Sequence, residues 1–276
     1  ASVGAGNIYY INHHIEGYNT RSLNLGTANA KAITLSFWVK SSVTGLFGGS
    51  FTNDDVSRAY PYNYTISVAN TWEYKTVTIT GDTTGTWLIN NLKGLRLYWA
   101  LGTGVDVTGP ADQWNSAVDI APTGSVNLIS TAAATFYITG VQLEVGDTAT
   151  PFEHRSYGQE LALCKRYFRR FGNGGTRGTM GVGGFSSLTA AQVVIPLDPE
   201  MRVVPTVTVP AFGVVLDFGV ATLPITSVAF AADTTNYNLI MLMTMSGGIG
   251  TAAQGDACTV VGGGGANMDY RFDAEL

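Results

Sequence analysis

The chain has 276 residues and a formal net charge of −5, and only 13% of its residues are charged. This length suits two domains of ordinary size or one large all-β unit. The composition excludes a general nucleic-acid binder, because the chain has one short basic cluster at 165–170 instead of a basic stripe, and it excludes membrane insertion by a long apolar run.

The N-terminal segment, "ASVGAGNIYY", has neither a Met nor the charged start of a signal peptide. We expect it to follow an N-terminal part that this chain lacks.

The first half of the chain alternates between apolar and polar residues, as β-strands with one buried face do. In "AITLSFWVK" (32–40), Trp38 and Lys40 fall on the side opposite to the apolar residues. Similar strands are predicted at 63–68, 74–80, 95–101, 126–130 and 135–145. Short turns such as "GDTTGTW" (81–87) separate them. The pattern predicts a jelly-roll β-sandwich over residues 1–152, and the lack of a fixed-period repeat argues against a β-helix.

The hydrophobic period changes at Ser156, where a helix is predicted over 156–171. Its apolar residues follow one another at intervals of four and three: Tyr157, Leu161, Cys164, Phe168 and Phe171. This is the a and d spacing of a heptad seam, and Ser156 with Gln159 forms a capping box. The seam predicts the interface of a homotrimer. The alternative is a helix that packs in cis on one sandwich.

The helix and the Gly-rich segment "GNGGTRGTMGVGG" (172–184) form the predicted connection, residues 153–184. Residues 185–276 return to β-like segments and predict a second, smaller β-sandwich-like domain. The two cysteines, Cys164 and Cys258, have no zinc-ligand spacing, and Cys164 is interpreted as a small core residue of the helix.

The segment "ITGVQLEVGDTATPFEHRSYGQELALCKRYF" resembles one that recurs in bacteriophage tail-fibre, tail-spike and related virion proteins, where it closes a carbohydrate-binding-module-like jelly roll. The segments "SFWVKSS", "ANTWEYKTVTITGDTTGTW" and "GLRLYWALGTG" fit the same resemblance. The ending, from "PLDPEMRVVPTVTV" to "DYRFDAEL", is similar to the C-terminal β domain of such proteins.

The resemblance implies an extracellular, homotrimeric virion appendage that adheres to host surface polysaccharide. Its other partners would be virion proteins, joined through the N-terminal part. Two alternatives remain: a structural decoration or connector protein that binds no glycan, and an accessory domain of a polysaccharide depolymerase. The motif marks the fold and the domain junction, so it carries no sugar-binding residues over to this chain.

Aromatic side chains are the natural candidates for sugar contact, because their faces stack on the apolar faces of pyranose rings. The candidates lie in the loop-like "RAYPYNY", in the long polar loop before 120 or on the non-core side of strands: Trp38, Arg58, Tyr60, Tyr62, Tyr64, Tyr98 and Trp114. The other three tryptophans, Trp72, Trp87 and Trp99, are interpreted as framework residues.

No catalytic site is predicted, because no spacing singles out a pair of carboxylates and no nucleophile elbow or phosphate loop is present. No cofactor is expected either. Asp54 and Asp55 are candidate ligands of a structural calcium ion, although two carboxylates are not a full ligand set. The basic cluster at 165–170 is interpreted as charge complementarity at the helix C-terminus, with an anionic polysaccharide as the alternative ligand.

Overall fold

The computed structural model describes residues 2–171, 179–187, 189–208, 213–217, 222–231, 234–236, 238–245, 254, 257–262 and 270–276. Strands hold 48% of the residues and helices 10%, which confirms the predicted all-β class. The chain forms two compact units. The first ends at His154 and also includes Leu276, and the second is Arg155–Glu275.

The first unit contains two main antiparallel sheets, with strand orders β1-β6-β3-β4 and β5-β2-β9. Its strands are β1 (Ile8–Glu16), β2 (Ile33–Ser41), β3 (Gly45–Thr52), β4 (Ala59–Ile66), β5 (Glu73–Ile79), β6 (Lys93–Thr103), β7 (Thr108–Gly109), β8 (Ala121–Pro122) and β9 (Phe136–Val145). A parallel pair, β7 and β8, and a short helix, α1 (Gly17–Thr20), complete it together with the 3-10 turns Arg21–Leu23, Val105–Val107 and Leu128–Ser130.

The core of the first unit lies between the two sheets, because one cluster of buried residues draws on strands of both. Phe37 of β2 stands edge-on to Tyr64 of β4 and to Trp99 of β6, with ring centroids 5.1 and 6.0 Å apart. The inward residues of β2 are fully buried at Leu35, Phe37 and Val39, so the alternation read from the sequence is correct there.

Two strands of this unit are not visible as alternating patterns. The glycines of β3, in "GLFGGSFT", interrupt the apolar–polar alternation by which a strand is recognised in a sequence. They are nevertheless required, because neighbouring backbone packs closely against them. A Cβ on Gly49 would lie 1.7 Å from the carbonyl oxygen of Tyr98, and one on Gly48 would lie 2.1 Å from that of Tyr62. β1 was also missed. The predicted strand at 126–130 is wrong, because the 3-10 turn Leu128–Ser130 occupies it.

The second unit contains a closed barrel of six strands, in the order β11-β12-β16-β15-β14-β17, and a three-stranded sheet, β10-β18-β13. Its elements are α2 (Tyr157–Lys165), β10 (Phe168–Phe171), β11 (Thr179–Ser187), β12 (Ala190–Pro196), β13 (Thr206–Thr208), β14 (Gly213–Asp217), β15 (Thr222–Phe230), β16 (Asn238–Met245), β17 (Ala257–Gly262) and β18 (Tyr270–Asp273). The expected sandwich-like domain is therefore corrected to a barrel with an added sheet. Of the predicted Gly-rich hinge, 179–184 lies in β11, and 172–178 lies outside the described residues.

The predicted helix is present but shorter than expected. Its capping box is confirmed: the Ser156 hydroxyl accepts from the backbone N–H of Gln159, and the Gln159 side chain accepts from the backbone N–H of Ser156. The helix ends at Lys165, so Phe168 and Phe171 lie on β10 and not on a helical seam. No residue of α2 is buried, which also corrects the interpretation of Cys164 as a core residue.

Strand pairing explains the early end of the helix. The segment "FRRF" pairs residue for residue with β18, and Phe171 packs edge-on against Phe272 with ring centroids 5.2 Å apart. Arg169 is buried, and its Nε donates to the carbonyl oxygen of Lys165 at 3.1 Å. At Arg169 the basic cluster therefore complements the C-terminus of the helix, as the charge pattern indicates.

Candidate functional site

The predicted sugar-binding tyrosines lie in the interior and do not offer a stacking face. Tyr60, Tyr62 and Tyr64 belong to β4 and not to a loop, and they are at most 6% exposed. The Tyr62 hydroxyl donates to the carbonyl oxygen of Tyr98 at 2.7 Å, and burial raises the pKa of Tyr62 well above its ordinary value. Tyr98 itself is buried beside Tyr10. All four are corrected to structural residues.

Arg58 and Trp114 are brought together near Tyr60, but their polar groups are committed to the fold. The Arg58 guanidinium forms two hydrogen bonds with the carboxylate of Asp82, at 2.6 and 2.9 Å, and a third with the Ser116 hydroxyl. The indole N–H of Trp114 donates to the carbonyl oxygen of Thr80 at 2.7 Å. The bidentate pair fixes Arg58, and the indole hydrogen bond and the edge-on contacts with Tyr60 and Trp87 fix Trp114, so we assign both residues to loop anchoring.

The two candidate calcium ligands turn to different partners. The Asp54 carboxylate lies 2.6 Å from the guanidinium of Arg96, and the Asp55 carboxylate accepts from the hydroxyl and the backbone N–H of Ser57. These bonds from Ser57 lower the pKa of Asp55. Within the described ranges no group of three or more His, Cys, Asp or Glu side chains is placed to hold a metal ion.

The remaining predicted aromatic, Trp38, lies on an exposed sheet face that carries further aromatic side chains. On β2, Phe37 and Val39 enter the core, so Trp38 and Lys40 stand on the outer face of the sheet β5-β2-β9. Pairing places Tyr74 of β5 opposite Trp38, and Tyr137 of β9 opposite Lys40. The outer-face patch is defined as Trp38, Lys40, Trp72, Tyr74 and Tyr137.

Within the outer-face patch the rings touch in two groups. The rings of Trp38 and Tyr74 are 5.4 Å apart, and those of Trp72 and Tyr137 are 6.4 Å apart in an edge-on arrangement. The ammonium of Lys40 lies 4.5 Å from the Tyr137 ring and 5.2 Å from the Trp72 ring. The four aromatic residues are 41–48% exposed. A face with this much accessible aromatic surface is typical of an interaction site.

The segment after β9 covers one end of this sheet face and leaves the outer-face patch open. Thr34 donates to the carbonyl oxygen of Gly146 at 2.9 Å, and Gln142 accepts from the backbone N–H of Glu153 at 2.7 Å. At the covered end Thr34 and Ser36 are buried, whereas Trp38 begins the open end. Gly140 leaves room there, because a Cβ on it would lie only 3.3 Å from Cδ1 of Trp38.

A fixed turn holds Trp72 in the outer-face patch. The carboxylate of the next residue, Glu73, accepts from the backbone N–H groups of Ser67 and Val68, both at 2.8 Å, and from the ammonium of Lys75 at 2.6 Å. These bonds, with that from Lys75 the strongest, lower the pKa of Glu73. The turn between β4 and β5 is thereby tied to the strand that follows Trp72.

Polar groups stand among the aromatic rings. Thr139 of β9 is paired with Trp38 of β2, and Thr76 lies two residues after Tyr74 on the same face of β5. Both threonines are exposed. Rings that stack and hydroxyls that hydrogen-bond are the two features that a saccharide requires of a protein surface.

Of the outer-face patch, sequence reasoning found only Trp38. The sequence pattern interprets Trp72 as a framework residue, whereas the structure leaves it 41% exposed on the outer face, and Tyr74 and Tyr137 are not among the sequence candidates. A signal for them exists: Trp72 and Tyr74 share one phase of the strand pattern "WEYKTVTI", whereas Val77 and Ile79 occupy the other. A search for aromatic residues on the polar phase of the strand patterns would identify three of the four aromatic residues of the outer-face patch, namely Trp38, Trp72 and Tyr74.

Among the described residues no helix is long and apolar enough to cross a membrane. No protein-family model matches the chain, and no curated protein matches it.

Proposed function

We propose that the chain is a non-catalytic carbohydrate-recognition protein of a bacteriophage fibre or spike, which binds host surface polysaccharide through the outer-face patch. The observation that carries this proposal is the group of four half-exposed aromatic rings on one sheet face, interleaved with threonine hydroxyls. The resemblance of the segment 138–168 and its flanking strands to virion appendage proteins supports the same function.

Physical chemistry favours a saccharide on this face. A sugar ring has an apolar face that gains contact with Trp38 or Tyr137, and its hydroxyls reach Thr76 and Thr139 without leaving a buried group unpaired. The surface needs little rearrangement, because the strands fix the rings before the ligand arrives. A single patch of this size gives weak binding, so useful adhesion requires several copies acting together.

The finer architecture belongs to the same proposal: the first unit is a jelly roll, and the protein is a homotrimer. Support for self-association comes from α2, whose exposed apolar side chains Tyr157, Leu161 and Leu163 would gain burial at an interface. A helix of nine residues is too short to be stable without packing. Three patches on one trimer would raise avidity by about two to four orders of magnitude if the glycans are suitably spaced.

The proposal is tested with an array of bacterial capsular and O-antigen polysaccharides. Wild-type protein should bind at least one of them, and Trp38→Ala should lose the signal. Tyr18→Ala is the matched control, because Tyr18 is an exposed aromatic of α1 that lies outside the outer-face patch.

Each alternative function has its own outcome on the array. Binding to no polysaccharide, even at millimolar sugar, would contradict the proposal and favour a structural decoration or connector protein. Release of reducing ends from a bound polysaccharide would contradict the non-catalytic part and favour a depolymerase component.

A further inference from the structure

The outer-face patch contains one charged side chain, Lys40, and no ionic partner for it is found in the described part of the chain. The described ion pairs join Arg58 to Asp82, Lys75 to Glu73, Arg96 to Asp54 and Arg155 to Glu160. Among the residues that the structure describes, no carboxylate pairs with Lys40. Its ammonium instead lies against the rings of Trp72 and Tyr137.

The missing pair is notable because an acidic residue stands close by in the strand register. Glu73 of β5 is opposite Val39, the immediate neighbour of Lys40. Its carboxylate is nevertheless occupied by Lys75 and by the two backbone N–H groups of the preceding turn. The fold therefore uses the nearby acid to shape the turn and leaves Lys40 as an uncompensated positive charge.

At the other end of the same face, the acidic side chain of Glu144 is also engaged. Its carboxylate accepts from the backbone N–H of Thr150 at 3.0 Å and from the Thr150 hydroxyl. Glu144 stands opposite Thr34 in the register, at the covered end of the face. The open end is thus aromatic and hydroxylic, with one positive charge.

We infer that the outer-face patch selects acidic polysaccharides, in which Lys40 pairs with a carboxylate or phosphate on the saccharide. This inference rests on the proposed function and names its ligand class. Trp38 and Lys40 are two residues apart on one face of β2, a separation of about 7 Å along the strand. A glycan that stacks on Trp38 therefore brings a charged substituent of an adjoining sugar to Lys40.

The two rings prepare Lys40 for this contact. They hold the ammonium in place by cation–π attraction while its three N–H donors stay available for an anion. A side chain that is already held loses less rotamer freedom on binding. Because the site is half-exposed, the gain is that of a solvent-screened ion pair, up to about fivefold in affinity at low salt.

For the test, each acidic polysaccharide on the array is accompanied by two modified samples, one carboxyl-reduced and one dephosphorylated. Full-length wild-type protein is compared with Lys40→Met, which keeps an unbranched side chain against the rings, and with Lys40→Arg. Lys31→Met is the matched control, since Lys31 is exposed and lies outside β2. Affinities of the bound polysaccharides are measured at low and high salt.

The inference predicts that wild-type binding drops about threefold to fivefold when the anionic groups are removed. Lys40→Met should show the same drop on the unmodified polysaccharide and no salt dependence, and Lys40→Arg and Lys31→Met should bind as wild type. Carboxyl reduction and dephosphorylation identify which anion is read.

Two other outcomes separate the inference from the function on which it rests. If the charged and neutralised forms bind equally well and Trp38→Ala weakens both about tenfold, the inference is overturned and carbohydrate recognition is left standing. Absence of binding to every polysaccharide would overturn both.

Discussion

Replacement of Trp38 by Ala removes the central ring of the outer-face patch and should weaken glycan binding about tenfold. An aromatic side chain presents roughly 150–250 Å², and Trp38 is 45% exposed, so roughly 70–110 Å² of it is accessible. A stacked sugar covers one face, about half of that area, which is worth about 0.9–1.4 kcal/mol at ~25 cal/mol per Å². The larger value corresponds to tenfold in affinity.

The same substitution should have little effect on stability. Trp38 loses a cross-strand contact with Tyr74, worth about 0.2–1 kcal/mol, but no core contact, because its side chain is on the outer face. Isothermal titration with a fragment of a polysaccharide bound on the array measures the affinity, and thermal melting measures the stability. Unchanged affinity of a folded Trp38→Ala protein would refute the assignment of the site, as would an equal loss in Tyr18→Ala.

Three further outcomes are expected. Tyr62→Phe removes the hydrogen bond from the Tyr62 hydroxyl to the Tyr98 carbonyl in the core, so thermal or chemical melting should show the first unit destabilised by about 0.5–1.5 kcal/mol, with glycan affinity retained. Affinity for a carboxyl-reduced polysaccharide, which has no carboxylate of its own to titrate, should be level above pH 4.5, the ordinary pKa of Glu73. It should fall as the pH drops through the lowered pKa of Glu73, since the turn beside Trp72 then loses its acceptor, and Glu73→Gln should abolish this fall. Leu161→Asp should convert a trimer into monomers in light scattering, and a wild-type monomer at micromolar concentration would contradict the proposed assembly.

Local patterns predicted the elements whose chemistry is local. The alternation of 32–40 identified β2 and its buried face, and the pair Ser156 and Gln159 identified the start of α2, because a capping box is made entirely by residues three apart. The C-terminal end of the helix was missed because it depends on β18, about a hundred residues away along the chain. Heptad spacing contains no information about a distant strand, such as β18, that pairs with the same residues.

At the candidate site, the prediction that differs most from the structure is the exposure of the tyrosines in "RAYPYNY", which are buried. "RAYPYNY" contains Pro and Asn and has the composition of a loop, but it pairs with β3, and the Tyr62 hydroxyl donates to the carbonyl oxygen of Tyr98. These contacts place it in a strand whose tyrosines are buried. The β3 glycines that pack against Tyr62 and Tyr98 carry no hydrophobic pattern. The strand phase marks Trp38, Trp72 and Tyr74 as outward-facing, but only the three-dimensional register brings Tyr137 of β9 to Lys40 of β2 across a long stretch of sequence.

The most direct test of the central claim is a crystal structure of the protein soaked with an oligosaccharide that it binds on the array. The account predicts a sugar ring stacked on Trp38 or Tyr137, with its hydroxyls near Thr76 and Thr139 and a charged substituent at Lys40. A sugar bound elsewhere, for example on Trp87 and Trp114, with the outer-face patch bare, would contradict it.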